Sequence, residues 1–186
     1  ASRNFANKLW NAARFILMNL KSDEIIPLNS GDFALEDKWI LSKYNKLVGE
    51  VTDNLEKYEL GMAVQKLYDF IWDVFCDWYI EICKSRLGGE DERAANTARS
   101  VLIFVYTGIL KLLHPFMPFI TEEIWQSMPH EGEALMVSDW PKTDSGFEYA
   151  AEEADFEKLM AVIKAVRNRR AEMNVPPSKK AKVCIQ

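Results

Sequence analysis

The chain has 186 residues, 48% of them apolar, with six Trp, ten Phe and a formal charge of −5. Such a composition builds a packed core over one or two domains and excludes a disordered chain. No apolar run approaches the ~20 residues of a bilayer span, and the acidic balance excludes a uniformly basic nucleic-acid binder.

The opening stretch is an amphipathic helix. Phe5, Leu9, Ala12, Ile16 and Leu20 recur at helical spacing, and Trp10, Ala13 and Leu17 widen that apolar stripe. The other side carries Asn4, Asn7, Lys8, Asn11 and Arg14. Asn is a mediocre helix former because its amide competes for backbone groups. Three of them beside two cations suit a face that bonds phosphates and base edges, although periodicity alone favours a solvated face. The stretch lacks the layout of a signal peptide.

Pro27, Asn29, Ser30 and Gly31 mark a connection. A second helix is predicted from near Leu35 to Tyr58, with Ile40, Tyr44, Leu47, Val51, Leu55 and Tyr58 inward. Trp39, beside Lys38 near its start, is either core or a platform on which a base stacks. The third helix, about Leu60 to Leu87, is the most apolar and is expected at the centre of the core. Its Asp69, Asp73, Asp77 and Glu81 recur every four residues as a solvated face. Gly88-Gly89 ends it, and Glu90-Asp91-Glu92 suits the next N-terminus, where the helix dipole favours negative charge. The fourth helix runs to about Leu113. Pro115 and Pro118 then break the chain before a short helix through Thr121–Trp125. Leu135-Met136-Val137 reads as a short extended piece within a loop.

The last helix is predicted from about Glu148 to Met173, with Phe156, Leu159, Ile163 and Val166 inward and Arg167, Arg169 and Arg170 at its end. From Lys158 onward eight basic residues face the single acid Glu172. After Pro176-Pro177, residues Lys180 to Gln186 alternate like a strand without a partner, so the chain reads as a fragment of something longer. Cys76, Cys83 and Cys184 fit no zinc spacing and read as reduced thiols of a cytoplasmic protein. His114 and His130 are too isolated for a metal site, and His114 reads as structural at a helix end. There is no phosphate loop, nucleophile elbow or metal motif. The residues alone predict an all-α bundle of five to six helices without a catalytic site.

Five stretches together resemble a known family. They are Asn4-Phe5-Ala6-Asn7-Lys8-Leu9-Trp10-Asn11-Ala12-Ala13-Arg14-Phe15 with Asp37-Lys38-Trp39-Ile40-Leu41-Ser42-Lys43, then residues 67–79 around Phe75-Cys76-Asp77-Trp78-Tyr79. Leu112-Leu113-His114-Pro115-Phe116-Met117-Pro118-Phe119 through Trp125 and Val166-Arg167-Asn168-Arg169-Arg170 through Lys180 complete the set. In order and over nearly the whole chain, they resemble the anticodon-binding domain of bacterial valyl-tRNA synthetases, class I enzymes. The resemblance implies a helical domain over 1–175 and the start of a small α/β extension over 176–186. It implies tRNA(Val) as partner, together with an upstream catalytic domain of the same chain in a monomeric parent. ATP and Mg would serve that parent and no cofactor this fragment, which carries neither His-Ile-Gly-His nor Lys-Met-Ser-Lys-Ser.

Unpaired anticodon bases would be splayed, stacked on aromatics and read on their edges. Candidate readers are Asn4, Asn7, Asn11 and Arg14, with Trp39 for stacking and Lys8, Lys38 and Lys43 on phosphate. The family commonly has Arg at the position of Lys43, and Lys lacks the planar bidentate fork. Arg167, Arg169 and Arg170 would meet the tRNA stem or the catalytic body. The competing readings are the anticodon domain of a leucyl or isoleucyl enzyme, and a helical scaffold that binds proteins through an apolar groove.

Overall fold

A computed structural model describes residues 2–21, 27–176, 178–180 and 182. Helices α1 (Ser2–Asn19), α2 (Leu35–Glu56), α3 (Leu60–Asp69), α4 (Ile80–Leu87), α5 (Glu92–Leu113), α6 (Pro118–Ser127) and α7 (Ala150–Glu172) account for most of it, and no strand occurs among the described residues. The architecture is the expected all-α bundle. The alternating Lys180–Gln186 stretch lies largely outside the described residues.

Local chemistry sets the helix ends. Asp91 caps α5 by accepting from Ala94 N at 3.1 Å. Pro118 opens α6, where a missing N–H costs nothing. Ala34 has no capping oxygen, so the start of α2 is held from inside, by Ala34 N donating to Asp37 at 3.0 Å. Tyr58 ends α2 in the left-handed conformation (φ 59°) and is exposed rather than inward. Leu135–Val137 is a 3₁₀ turn and not an extended piece.

The third predicted helix is continuous over residues 60–87, but its middle, Phe70–Tyr79, is π-helical. There Ile80 N reaches back five residues to Phe75 O. The centre of the core is α5 rather than this helix. Most of the 22 residues of α5 are buried, and helices pack around it on several sides. Its face is complementary in shape: Gly108 admits the Tyr44 ring of α2, whose hydroxyl would lie 1.9 Å from any added Cβ. Tyr106 stacks on Phe75 at 5.7 Å and donates to Leu9 O at 2.7 Å, tying α5 to both the π-helical stretch and α1.

A buried polar knot joins three helices. Asp37 accepts from Tyr79 OH at 2.7 Å and from Arg86 at 2.7 and 2.8 Å, while Arg86 also donates to Ala94 O at 3.0 Å. Burial, with the neighbouring carboxylate, pushes the Tyr79 hydroxyl well above its ordinary range. The loop after α6 is pinned to α2, because the Asn45 amide accepts from Asp144 N at 2.8 Å and donates to Asp144 O at 2.9 Å. His114 pairs with the Thr121 hydroxyl at 2.8 Å across the α5–α6 corner, a structural place.

The C-terminal helix differs from expectation. Phe156 is buried, but Leu159 is exposed and Ile163 and Val166 are half-buried. α7 rests chiefly on α2, so its later turns extend past the bundle's centre.

Candidate nucleic-acid interface

α1 buries Phe5, Leu9, Ala12, Ala13 and Ile16 against the bundle. The 3.6-residue repeat then turns Asn4, Asn7, Asn11 and Arg14 outward, and all four are exposed. None has a side-chain hydrogen bond or ion pair among the described residues. Trp10 was expected in the apolar stripe. It is instead 42% exposed, one turn from both Asn7 and Arg14.

Between α1 and the π-helical stretch with α4 lies an open cleft of about 250 Å³. Lys8, Asn11, Phe15, Asp77, Glu81 and Lys84 line it. Lys8 pairs with Asp77 at 2.5 Å and holds its ammonium 4.4 Å from the centre of the Trp72 ring. Lys84 pairs with Glu81 at 2.6 Å and sits 5.9 Å from the Phe15 ring. Both ion pairs are partly exposed, so each is worth only about 0–1 kcal/mol and an incoming phosphate can displace the carboxylate. The cleft offers one aromatic surface, one amide that both donates and accepts, and two cations. It is smaller than the roughly 300–1,000 Å³ of a drug-sized pocket.

The remaining predicted residues sit elsewhere. Trp39 is 1% exposed and packs on Phe156 at 4.7 Å, so no base reaches it. It is a core residue because α7 covers this part of α2. Lys38 pairs with Glu152 at 3.0 Å, and Lys43 pairs with Glu153 at 3.1 Å and with Glu157. Burial alone would lower the Lys43 ammonium, but Glu157 and Glu153 outweigh it and raise its pKa above 10.5. These lysines fasten α7 to α2 instead of standing free for phosphate. The family resemblance implies a place for them beside the α1 face. The fold puts them on a different helix pair, because α1 packs on α5, α6 and the π-helical stretch.

At the far end of α7, Lys164 and Arg167 both lie over the Trp78 ring, at 5.5 and 5.4 Å. Arg169 pairs with Glu172 at 3.0 Å. Arg170 donates to Pro176 O at 2.8 Å and to Lys179 O at 2.7 Å, holding the turn that follows the helix.

Four cleft residues escape a reading of the sequence: Phe15, Asp77, Glu81 and Lys84. Spacing held a partial signal. Phe15 follows Asn11 by one turn, and Lys84 follows Asp77 by two turns. Nothing in the sequence says that these two helices lie side by side. Among the described residues no His, Cys, Asp and Glu cluster is placed to hold a metal ion, and no helix is long and apolar enough to cross a membrane.

Residues 37–185 match the family described as the anticodon-binding domain of tRNA ligase. The whole chain is 53% identical to valine–tRNA ligase of Clostridium acetobutylicum. It is 50% identical over 98% of its length to that of Oceanobacillus iheyensis, and 50% over 99% to that of Carboxydothermus hydrogenoformans. It spans 21% of the length of each of these relatives. Among solved structures, 81% of the chain superposes on 17% of a chain of the ternary complex of Agrobacterium radiobacter K84 agnB2 LeuRS with tRNA and LeuAMS, with a TM-score of 0.61 at 20% identity, a likeness of fold. Helix α1 precedes the family match, yet the Clostridium relative aligns through it. The chain belongs to the anticodon-binding domain family of tRNA ligases.

Proposed function

We propose that this chain grips the anticodon stem-loop of tRNA(Val) through α1 and the cleft beside it. In the parent enzyme it would position that tRNA for attachment of valine by the catalytic domain of the same chain. That reaction uses ATP with Mg, neither of them bound by this domain, in a monomeric cytoplasmic protein. The reading assigns one splayed base to the Phe15 surface, with Asn11 on its edge. Asn amides present both a donor and an acceptor, the pattern that adenine's edge complements. Asn4, Asn7 and Arg14 extend the contact along the loop, and Lys8 and Lys84 meet phosphate. Lys164 and Arg167 lie toward the stem.

One observation carries the reading: Asn4, Asn7, Asn11 and Arg14 stand exposed in one line beside a cleft lined by Phe15, with no side-chain partner among the described residues. Titration of a labelled valine anticodon stem-loop tests it. Binding should weaken by about tenfold when the adenine in the middle of the valine anticodon is replaced, since a matched bidentate contact to a base edge discriminates by ~1–3 kcal/mol. Equal affinity for both loops refutes the assignment.

A further inference from the structure

Helix α3 has an apolar outer face. Leu60, Val64 and Tyr68 lie at i, i+4 and i+8 and are 53%, 40% and 36% exposed. An amphipathic surface helix ordinarily puts polar groups there. The polar residues of α3 are instead occupied with each other or with α2: Gln65 donates to Asp69 at 2.7 Å, and Lys66 pairs with Glu50 at 2.6 Å. Exposed Met62 and Tyr58 border the strip at the α2–α3 turn. At its other end Tyr68 stacks on Trp72 at 5.6 Å and on Phe5 at 5.0 Å. Phe5 belongs to the first turns of α1, so the N-terminal end of α1 lies beside this strip.

We infer that the Leu60–Val64–Tyr68 strip is a docking surface for the portion of the full-length parent polypeptide that leads into α1. This rests on the reading above only in that the chain is one part of a much longer protein. Relatives about five times its length supply the occupant, since the chain is 21% of each. Contact between domains of one chain suits an apolar strip with a satisfied polar rim. RNA does not suit it, because Lys66 is neutralised by Glu50 while Asp69 and Asp73 stand exposed alongside. Contiguous apolar surface of this kind marks a protein contact.

Thiol labelling of the full-length parent tests the inference. Val64→Cys is compared with Glu90→Cys, an exposed loop position, using a maleimide, with labelling of the parent subtracted. Cys76 and Cys83 do not compete, since both are buried and burial pushes the Cys76 thiol up to about 12. The Val64→Cys variant should label at least tenfold more slowly, at every protein concentration and without RNA. Equal rates overturn the inference. Protection that appears only at high concentration with dimer formation assigns the strip to a second copy, and protection only with the anticodon stem-loop present assigns it to RNA; either result overturns it. Loss of stem-loop discrimination would instead strike the functional reading and leave this one standing.

Discussion

Ser42 of α2 donates its hydroxyl to Glu153 of α7 at 2.6 Å, and the same carboxylate takes Lys46 at 2.8 Å and Lys43 at 3.1 Å. Charge-assisted hydrogen bonds of this kind are the stronger ones, and here they fix α7 to α2. They also occupy Lys43, to which the resemblance assigns a phosphate, while Lys38 is held by the neighbouring Glu152.

The Glu153 carboxyl should govern the acid limb of stability. Burial alone would raise its pKa, but hydrogen bonds from Lys46, Ser42 and Lys43 outweigh that and hold it below the ordinary 4.5. A carboxyl depressed in the folded state adds stability above its unfolded value and loses it as pH falls through the folded one. Glu153→Gln should therefore lower the melting temperature near neutral pH, with the gap from the parent closing below about pH 4.5. Lys43, raised in the fold, keeps its contribution throughout this range and loses it only as pH rises past its folded value above 10.5. A gap unchanged into acid would remove Glu153 from this role.

Asp37 is fully buried and holds Arg86, Tyr79 and the Ala34 N–H. Asp37→Ala should cost about 3–5 kcal/mol in urea unfolding, because it leaves a largely buried guanidinium with only the Glu36 carboxylate and the Ala94 carbonyl. Adding Arg86→Met should recover part of that loss, because the poorly compensated charge is then gone. Simple additivity of the two substitutions would mean that they do not share an interaction.

Trp39 separates packing from recognition. Trp39→Ala should cost about 3–5 kcal/mol of stability as a core truncation. Trp39→Phe should be milder, since it also deletes an indole N–H that has no acceptor among the described residues. Neither change should alter stem-loop affinity in the folded protein. Weakened binding by Trp39→Phe at an unchanged melting temperature would return Trp39 to the RNA.

Phe15 and Arg14 test the cleft and the α1 face. Phe15→Ala should weaken stem-loop binding by about 1–3 kcal/mol, and Phe15→Tyr should spare it. If Arg14 meets phosphate, Arg14→Ala should weaken binding to all loops alike. It should also reduce the slope of log K against log salt by about 0.7, one single-strand phosphate contact. A change in base preference without a change of slope would make Arg14 a base reader instead.

The sequence by itself determined the helices, most of the inward faces of α1 and α2, and the outward line of Asn4, Asn7, Asn11 and Arg14. Each follows from a 3.6-residue repeat and from Gly and Pro at the breaks, properties of a chain's local geometry. It did not determine which helices are neighbours. Whether Lys43 faces a phosphate or a glutamate depends on a helix more than a hundred residues later, and no period in α2 records that. The same holds for Trp39, which α7 covers, and for Phe15, which becomes the floor of a cleft only because α4 lies beside α1. The π-helical turn at Phe70–Tyr79 escaped for a related reason: residues five apart and four apart both suit an apolar stripe, and only the packed backbone decides between them. Tertiary packing chose the site's members, because a binding surface is made of residues close in space, and periodicity orders only residues close in the chain.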